Sequence, residues 1–185
     1  GSSYVNKDAI YPFVDEVKKL CDIIALYFAN QYRIETVVGP TVGGVILSQH
    51  VTSALKKHSN CDVVSVFADQ EGDSRIIKRG YGRYVQGKRC LIVEDVINSG
   101  NTVIKTRQAV QNAGGIVVGV GALCNRSASQ VTLHTLGVPE LFSLANFDME
   151  MYKEENCPIC KEKGVMSVRT DIGKGREFLE RIGLA

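Results

Sequence analysis

The chain is 185 residues long, 44% hydrophobic and 23% charged, which fits one globular domain burying about two-thirds of its unfolded surface. Its 22 Lys and Arg stand against 20 Asp and Glu, and a net charge of +2 excludes broad electrostatic binding to nucleic acid or to a membrane surface, though not a local basic site. No apolar run approaches the ~18 residues that span a bilayer, and GSSYVNKDAIYP has neither the basic nor the apolar region of an export leader, so the expected compartment is the cytoplasm.

Residues 12–31, PFVDEVKKLCDIIALYFANQ, place Phe13, Val17, Leu20, Ile24, Tyr27 and Phe28 at helical spacing, and predict an amphipathic helix with Pro12 in its first turn. ETVVG follows as a short strand ending at Gly39-Pro40, then TVGGVILSQHVTSALKKH as a helix with two glycines near its start. CDVVSVFA is a β-branched strand, and residues 69–89, DQEGDSRIIKRGYGRYVQGKR, are polar, basic and rich in glycine. Next come CLIVE as strand, TVIKTRQAVQNAGG as a helix closed by glycines, IVVGVGALC and LFSLANF as strands, and GKGREFLERIG as a short last helix.

The strands are continuous apolar runs that alternate with helices, the pattern of a parallel sheet covered on both faces. The expected fold is therefore α/β, a central mostly parallel sheet flanked by helices. It forms one domain over residues 1–185, with a loop over 69–87 and a tail over 150–185 that holds CPIC and the last helix.

Of the six cysteines, Cys21, Cys61, Cys90 and Cys124 sit singly in apolar stretches, as small buried hydrophobes do. Cys157 and Cys160 form the only close pair; one C-x-x-C supplies two soft ligands where a structural zinc needs four. Reduced thiols, a structural knuckle, a redox pair and a metal site all stay open for it. His50 and His58 have no sequence-adjacent partner for a triad and are read as structural.

In parallel sheets ligands bind beyond the carboxyl ends of the strands. There, CLIVEDVINSGNT runs from an apolar strand into Glu94-Asp95, then a small polar turn and a helix. Backbone N–H groups of the turn, the hydroxyls of Ser99 and Thr102 and the helix N-terminus make an anion cradle, and Gly100 lets a ligand come close to the backbone. Two acids beside a phosphate cradle suit a phosphorylated polyol such as ribose 5-phosphate; a simple acidic strand cap is the other reading. VVGPTVGGVILS, after the first strand, offers glycine N–H groups to a second anion, or only a tight helix–sheet turn. Arg75, Lys78, Arg79 and Arg83 crowd the 69–87 segment, either as a mobile cationic lid that excludes water and neutralises a leaving anion, or as a solvated basic loop.

CLIVEDVINSGNT resembles the phosphoribosyl pyrophosphate (PRPP) signature of the type I phosphoribosyltransferases, with Asn98 where that family usually has Thr or Ala. VVGPTVGGVILS is similar to the family's pyrophosphate loop, implying Gly39, Thr41, Gly43 and Gly44 as binding residues; many orotate enzymes carry a lysine about where Gly43 stands. IKRGYGRYVQGKRCLIVEDV has lid, turn and signature in the family's order, which implies Lys78 and Arg79 as the lid cations. YVNKDAIYP resembles the segment that supplies a substrate-contacting lysine, here Lys7, and LCNRS the place where an arginine, here Arg126, meets the orotate carboxylate.

The resemblance spans most of residues 4–130 and is nearest to orotate phosphoribosyltransferases. It implies transfer of 5-phosphoribosyl from PRPP to orotate, with Glu94 and Asp95 on the ribose hydroxyls facing a cationic transition state. Val96, Asn98, Ser99, Gly100, Asn101 and Thr102 would bind substrate. Mg²⁺ would lie near the acids, held mainly through PRPP and water, in a homodimer. A purine or uracil phosphoribosyltransferase and a non-catalytic PRPP-binding regulator are the alternatives.

Overall fold

Six strands form one sheet in the order β3-β2-β1-β4-β5-β6: β1 (Thr36–Pro40), β2 (Val64–Glu71), β3 (Ser74–Ile76), β4 (Arg89–Ile97), β5 (Ile116–Asn125) and β6 (Leu141–Asn146). All neighbours are parallel except β3, which folds back on β2. The computed structural model describes residues 3–59, 61–150, 152, 154–164, 168–171, 173 and 175–184. They group into two compact units, Tyr11–Asp148 and a second built from the two ends of the chain, up to Ile10 and from Met149. The first holds the sheet with α1 (Val14–Ala29), α2 (Gly43–Ser59), α3 (Asn101–Asn112) and the single-turn α4 (Leu133–Leu136); the second holds α5 (Pro158–Lys163) and α6 (Gly175–Arg181).

The fold is the α/β class that the apolar runs predict. β1 is buried along its whole length, as a strand covered on both faces must be. Around α3, Ile92, Val103, Val120, Ala122 and Leu136 form one cluster, and Val38, Val66, Val85, Cys90 and Val110 another. α1 packs against β5, where two glycines make room for it: a Cβ on Gly119 would lie 2.5 Å from Phe28 Cε1, and one on Gly121 2.6 Å from Ile24 Cγ2. Full burial of side chains such as Phe28 and Ile24 stabilises by about 1.5–3 kcal/mol each.

Three local expectations are corrected. Pro12 precedes Phe13, the N-cap of α1, and so stands outside the helix rather than in its first turn. β4 continues past Glu94 to Ile97, because β5 runs alongside as far as Asn125 and supplies backbone partners. The polar stretch after residue 68 begins as a hairpin: β2 runs to Glu71 and turns at Gly72-Asp73, where Gly72 takes φ 55°, into β3. A 3-10 turn follows at Tyr81–Tyr84, with Val85 fully buried behind it and the Thr36 hydroxyl donating to the Tyr84 carbonyl.

In the second unit Cys157 and Leu179 are buried, and Lys7 lies in a 3-10 turn, Lys7–Ala9. The expected last helix includes residue 174, outside the described residues; its described part is α6. Among the described residues no helix is long and apolar enough to cross a membrane.

Candidate active site

β1 and β4 lie side by side at the centre of the sheet, and the chain leaves them in opposite directions, β1 through α2 to β2 and β4 through α3 to β5. That reversal opens a crevice at their carboxyl ends. The β1–β4 register stops at Val38↔Ile92, so beyond Ile92 the β1-side backbone groups of β4 need other partners. The two acids supply some of them. Glu94 Oε1 accepts the Asp95 N–H at 3.1 Å, and Asp95 Oδ1 accepts the Val96 N–H at 2.6 Å.

Both carboxylates are 6% exposed. Burial pushes the Glu94 carboxyl up to about 8, and the neighbouring Asp95 charge adds to it, partly offset by the Asp95 N–H and the charge of Arg75. Successive strand residues point to opposite faces, and the two acids serve different surroundings. Glu94 lines a cleft of about 140 Å³ with Val96, Ile97 and the whole Asn98–Val103 turn. Asp95 Oδ2 accepts the Tyr11 hydroxyl at 3.0 Å.

The crevice lies at the starts of two helices. α3 begins at Asn101 after Gly100, and α2 begins at Gly43; the first backbone N–H groups of each have no partner within their helix and favour an anion. Gly100 has φ 78°, and a Cβ there would lie 2.8 Å from Leu136 Cδ2. Glycine is therefore required there on conformational and packing grounds within the fold itself, beside the expected approach of a ligand. In the β1–α2 turn, a Cβ on Gly39 would fall 1.9 Å from Gly44 O, and one on Gly44 2.5 Å from Pro40 Cδ. A Cβ on Gly43 would fall 1.8 Å from Asp95 Oδ2 and 2.8 Å from the Tyr11 hydroxyl. Asp95 and Tyr11 thus fill the space that a side chain at position 43 would use.

Gly39→Ala and Gly43→Ala should separate accordingly. The first meets backbone, and overpacking of about 1–3 kcal/mol should lower the melting temperature by several degrees. The second meets a side chain that can swing, so it should cost about tenfold in activity through displaced Asp95 with a smaller thermal effect. Melting curves and initial rates on both variants check this; a Gly43→Ala protein with unchanged rate would show that Asp95 has freedom to spare.

The cations of the hairpin are distributed unlike the sequence expectation. Lys78 Nζ pairs with Glu71 Oε1 at 2.5 Å, and Arg79 Nε with Asp69 Oδ2 at 3.2 Å while lying over the Phe67 ring. Arg75 instead reaches the β1–α2 turn, donating through Nη1 to Thr41 Oγ1 and through Nη2 to Thr41 O, both at 3.2 Å. Arg126 follows β5; its N–H donates to Ile97 O at 3.0 Å, and its buried Nε has no hydrogen-bond partner among the described residues. Lys7 is in the second unit, 3.6 Å from Asp8.

The residues that spacing missed are Tyr11, 84 positions from Asp95, and Arg75 as a contact of Thr41. His58 Nε2 sits 3.0 Å from Asp22 Oδ1, and burial lowers the pKa of His50. No disulfide joins Cys157 to Cys160, and the backbone N–H of Cys160 lowers the pKa of Cys157; no cluster of three or more His, Cys, Asp or Glu able to hold a metal occurs among the described residues.

A doubly wound sheet with paired acids between two helix starts that favour anions makes this an α/β protein whose crevice suits a phosphorylated ligand. The family model described as "Phosphoribosyl transferase domain" matches residues 7–137, and the chain belongs to the type I phosphoribosyltransferase family. It is 35% identical over 131 residues to the orotate phosphoribosyltransferase of Caldanaerobacter subterraneus subsp. tengcongensis, covering 71% of this chain and 63% of that one. It is 35% identical over 152 residues to that of Desulforamulus reducens, covering 82% and 73%. Among solved structures, the Giardia lamblia adenine phosphoribosyltransferase complexed with 9-deazaadenine shares the fold with a TM-score of 0.56 at 20% identity, over 78% of this chain and 85% of that one.

Proposed function

We propose that the protein transfers the 5-phosphoribosyl group of PRPP to orotate, giving orotidine 5′-phosphate and pyrophosphate. The observation that carries the reaction class is the buried Glu94–Asp95 pair between the starts of α2 and α3. The acceptor is supported by the orotate enzymes at 35% identity and by Arg126, whose buried guanidinium nitrogen lacks an acceptor that a base carboxylate would provide.

In this reading the Asn98–Thr102 turn takes the 5-phosphate at the start of α3, and Val96 and Asn98 line the way to the base. The carboxylates accept the 2- and 3-hydroxyls of the ribose. As the C1–O bond to pyrophosphate breaks ahead of bond formation, positive charge grows on the ring, and two acids held in a partly dry crevice stabilise it. Gly39, Thr41, Gly43 and Gly44, at the start of α2, receive the leaving group. Lys78 and Arg79 join only after leaving Glu71 and Asp69; for the exposed Lys78–Glu71 pair that costs about 0–1 kcal/mol, and Arg79 leaves the more buried Asp69.

The donor set suits a hard cation. Mg²⁺ prefers one or two carboxylates with substrate phosphates and water, and the raised Glu94 carboxyl marks a crevice short of positive charge. Glu94 and Asp95 would hold it, largely through water and PRPP oxygens, and it would neutralise the pyrophosphate. The working unit is proposed to be a homodimer.

Pyrophosphate release from PRPP should occur with orotate and not with uracil, adenine, guanine, hypoxanthine or xanthine. Turnover of a purine alone would reject the acceptor; PRPP binding without turnover of any base would favour a regulator. Arg126→Ala should raise the KM for orotate by about tenfold or more and leave that for PRPP within about twofold. Equal changes in both would remove Arg126 from the base site.

A further inference from the structure

The hairpin and its neighbours hold three acids, and each already has a cation. Asp69 is paired with Arg79, Glu71 with Lys78, and Asp73 with Lys105, whose Nζ lies 2.5 Å from Asp73 Oδ1. Among the described residues two cations of 69–87 have no carboxylate partner: Arg83, which donates to the Tyr84 hydroxyl and lies over its ring, and Arg75. On β3 it stands opposite Gln70, and its half-buried side chain reaches from the hairpin to the turn after β1. There Nη1 donates to Thr41 Oγ1 and to Ala68 O, and Nη2 to Thr41 O, each at 3.2 Å. All three acceptors are neutral. No carboxylate lies within ion-pair distance among the described residues, and Glu94 is felt only through space.

A half-buried guanidinium set on carbonyl and hydroxyl oxygens carries its charge without a counter-ion beside it, and so favours an anion that joins it. Three of its five N–H groups are engaged, which fixes the plane of the fork and leaves donors for a further acceptor. Its anchor, Thr41, lies two residues before Gly43, where α2 starts with N–H groups that also favour an anion. A fixed cation and a helix start thus converge on one turn from two separate elements. Thr41 takes two of the guanidinium's bonds, so any anion on this turn meets a cation that is already oriented.

We propose that Arg75 is the pyrophosphate-binding cation of this site, a preorganised charge supplied by β3 to the β1–α2 turn, ahead of the self-paired Lys78 and Arg79. The proposal rests on the reading that this turn receives the leaving group. It assigns Arg75 to the diphosphate and not to the sugar phosphate, which belongs to the turn before α3. Loss of Arg75 therefore weakens one ligand selectively, whereas a mere strut tying the hairpin to the turn would weaken every ligand and the fold together.

Calorimetric binding of two probes, inorganic pyrophosphate and ribose 5-phosphate, to wild type, Arg75→Gln and Arg75→Lys tests this. Arg75→Gln should weaken pyrophosphate about tenfold or more and leave ribose 5-phosphate within about twofold, at a melting temperature close to wild type. Arg75→Lys, which keeps the charge and loses the fork, should recover part of the pyrophosphate affinity. Unchanged pyrophosphate binding in Arg75→Gln, equal loss of both probes, or no recovery in Arg75→Lys would each overturn the assignment. A wild type that binds pyrophosphate but turns over no base would reject the proposed transferase reaction and leave Arg75 standing. Normal turnover in Arg75→Gln with undiminished pyrophosphate binding would do the reverse.

Discussion

Asp95→Asn should lower kcat/KM by roughly 10²–10³-fold, the scale of removing one preorganised electrostatic group from a transition state, at little cost to the fold. Geometry makes the substitution nearly silent in structure. The amide oxygen of the variant would keep the Val96 N–H that Asp95 Oδ1 now accepts. The new amide nitrogen would face the Tyr11 hydroxyl, which now donates to Oδ2 and is able to turn round and accept instead. On the proposed reading, what goes is the negative charge beside the ribose, and with it the stabilisation of the cationic ring. The decisive comparison is orotidine 5′-phosphate formation against the melting curve of the same preparation. Activity within about threefold of wild type would remove Asp95 from the reaction, whereas a collapsed melting temperature would make its role structural.

Tyr11 is invisible to a reading of the chain because its tie to Asp95 is spatial, across 84 residues, from a position just before α1. The motif at Cys90–Thr102 is legible for the opposite reason. Its strand, acids, turn and helix are contiguous, and each part has a local signature: an apolar run, two carboxylates, a glycine turn and helical spacing. The parallel sheet follows as directly, since strands covered on both faces have little choice but to be apolar throughout.

Where sequence and structure part, the deciding atoms lie far along the chain. Gly100 is a glycine because of Leu136, and Gly43 leaves room for Asp95. Polar composition hides the β2–β3 hairpin, because an edge hairpin with solvent on one side needs few apolar residues. Pairing among Asp69, Glu71, Lys78 and Arg79 is likewise unreadable from the order of charges. That pairing leaves Arg75 and Arg83, and of the two it is Arg75 that reaches the β1–α2 turn.

Glu94→Gln should make the unliganded protein more stable at alkaline pH while reducing its activity by at least about tenfold. In the folded chain burial and the Asp95 charge hold the Glu94 carboxyl near 8, against 4.5 for an unhindered glutamate. Between those values the folded state binds the extra proton, so stability is fully present below pH 4.5 and falls as pH rises towards 8. Gln cannot ionise. It keeps the oxygen that accepts the Asp95 N–H and places an N–H₂ donor beside the Asp95 carboxylate. The variant should therefore melt on the order of 5 °C above wild type at alkaline pH, and the gap should shrink towards pH 5. A wild type equal to or more stable than the variant at alkaline pH would reject a buried carboxyl kept at the expense of stability. If PRPP with Mg²⁺ binds as proposed, it would supply the positive charge and hydroxyls this carboxyl lacks when alone, so the complex should stabilise wild type more than Glu94→Gln. That narrowing of the gap on ligand binding links the cost of burying Glu94 to the ligand that it is placed to hold.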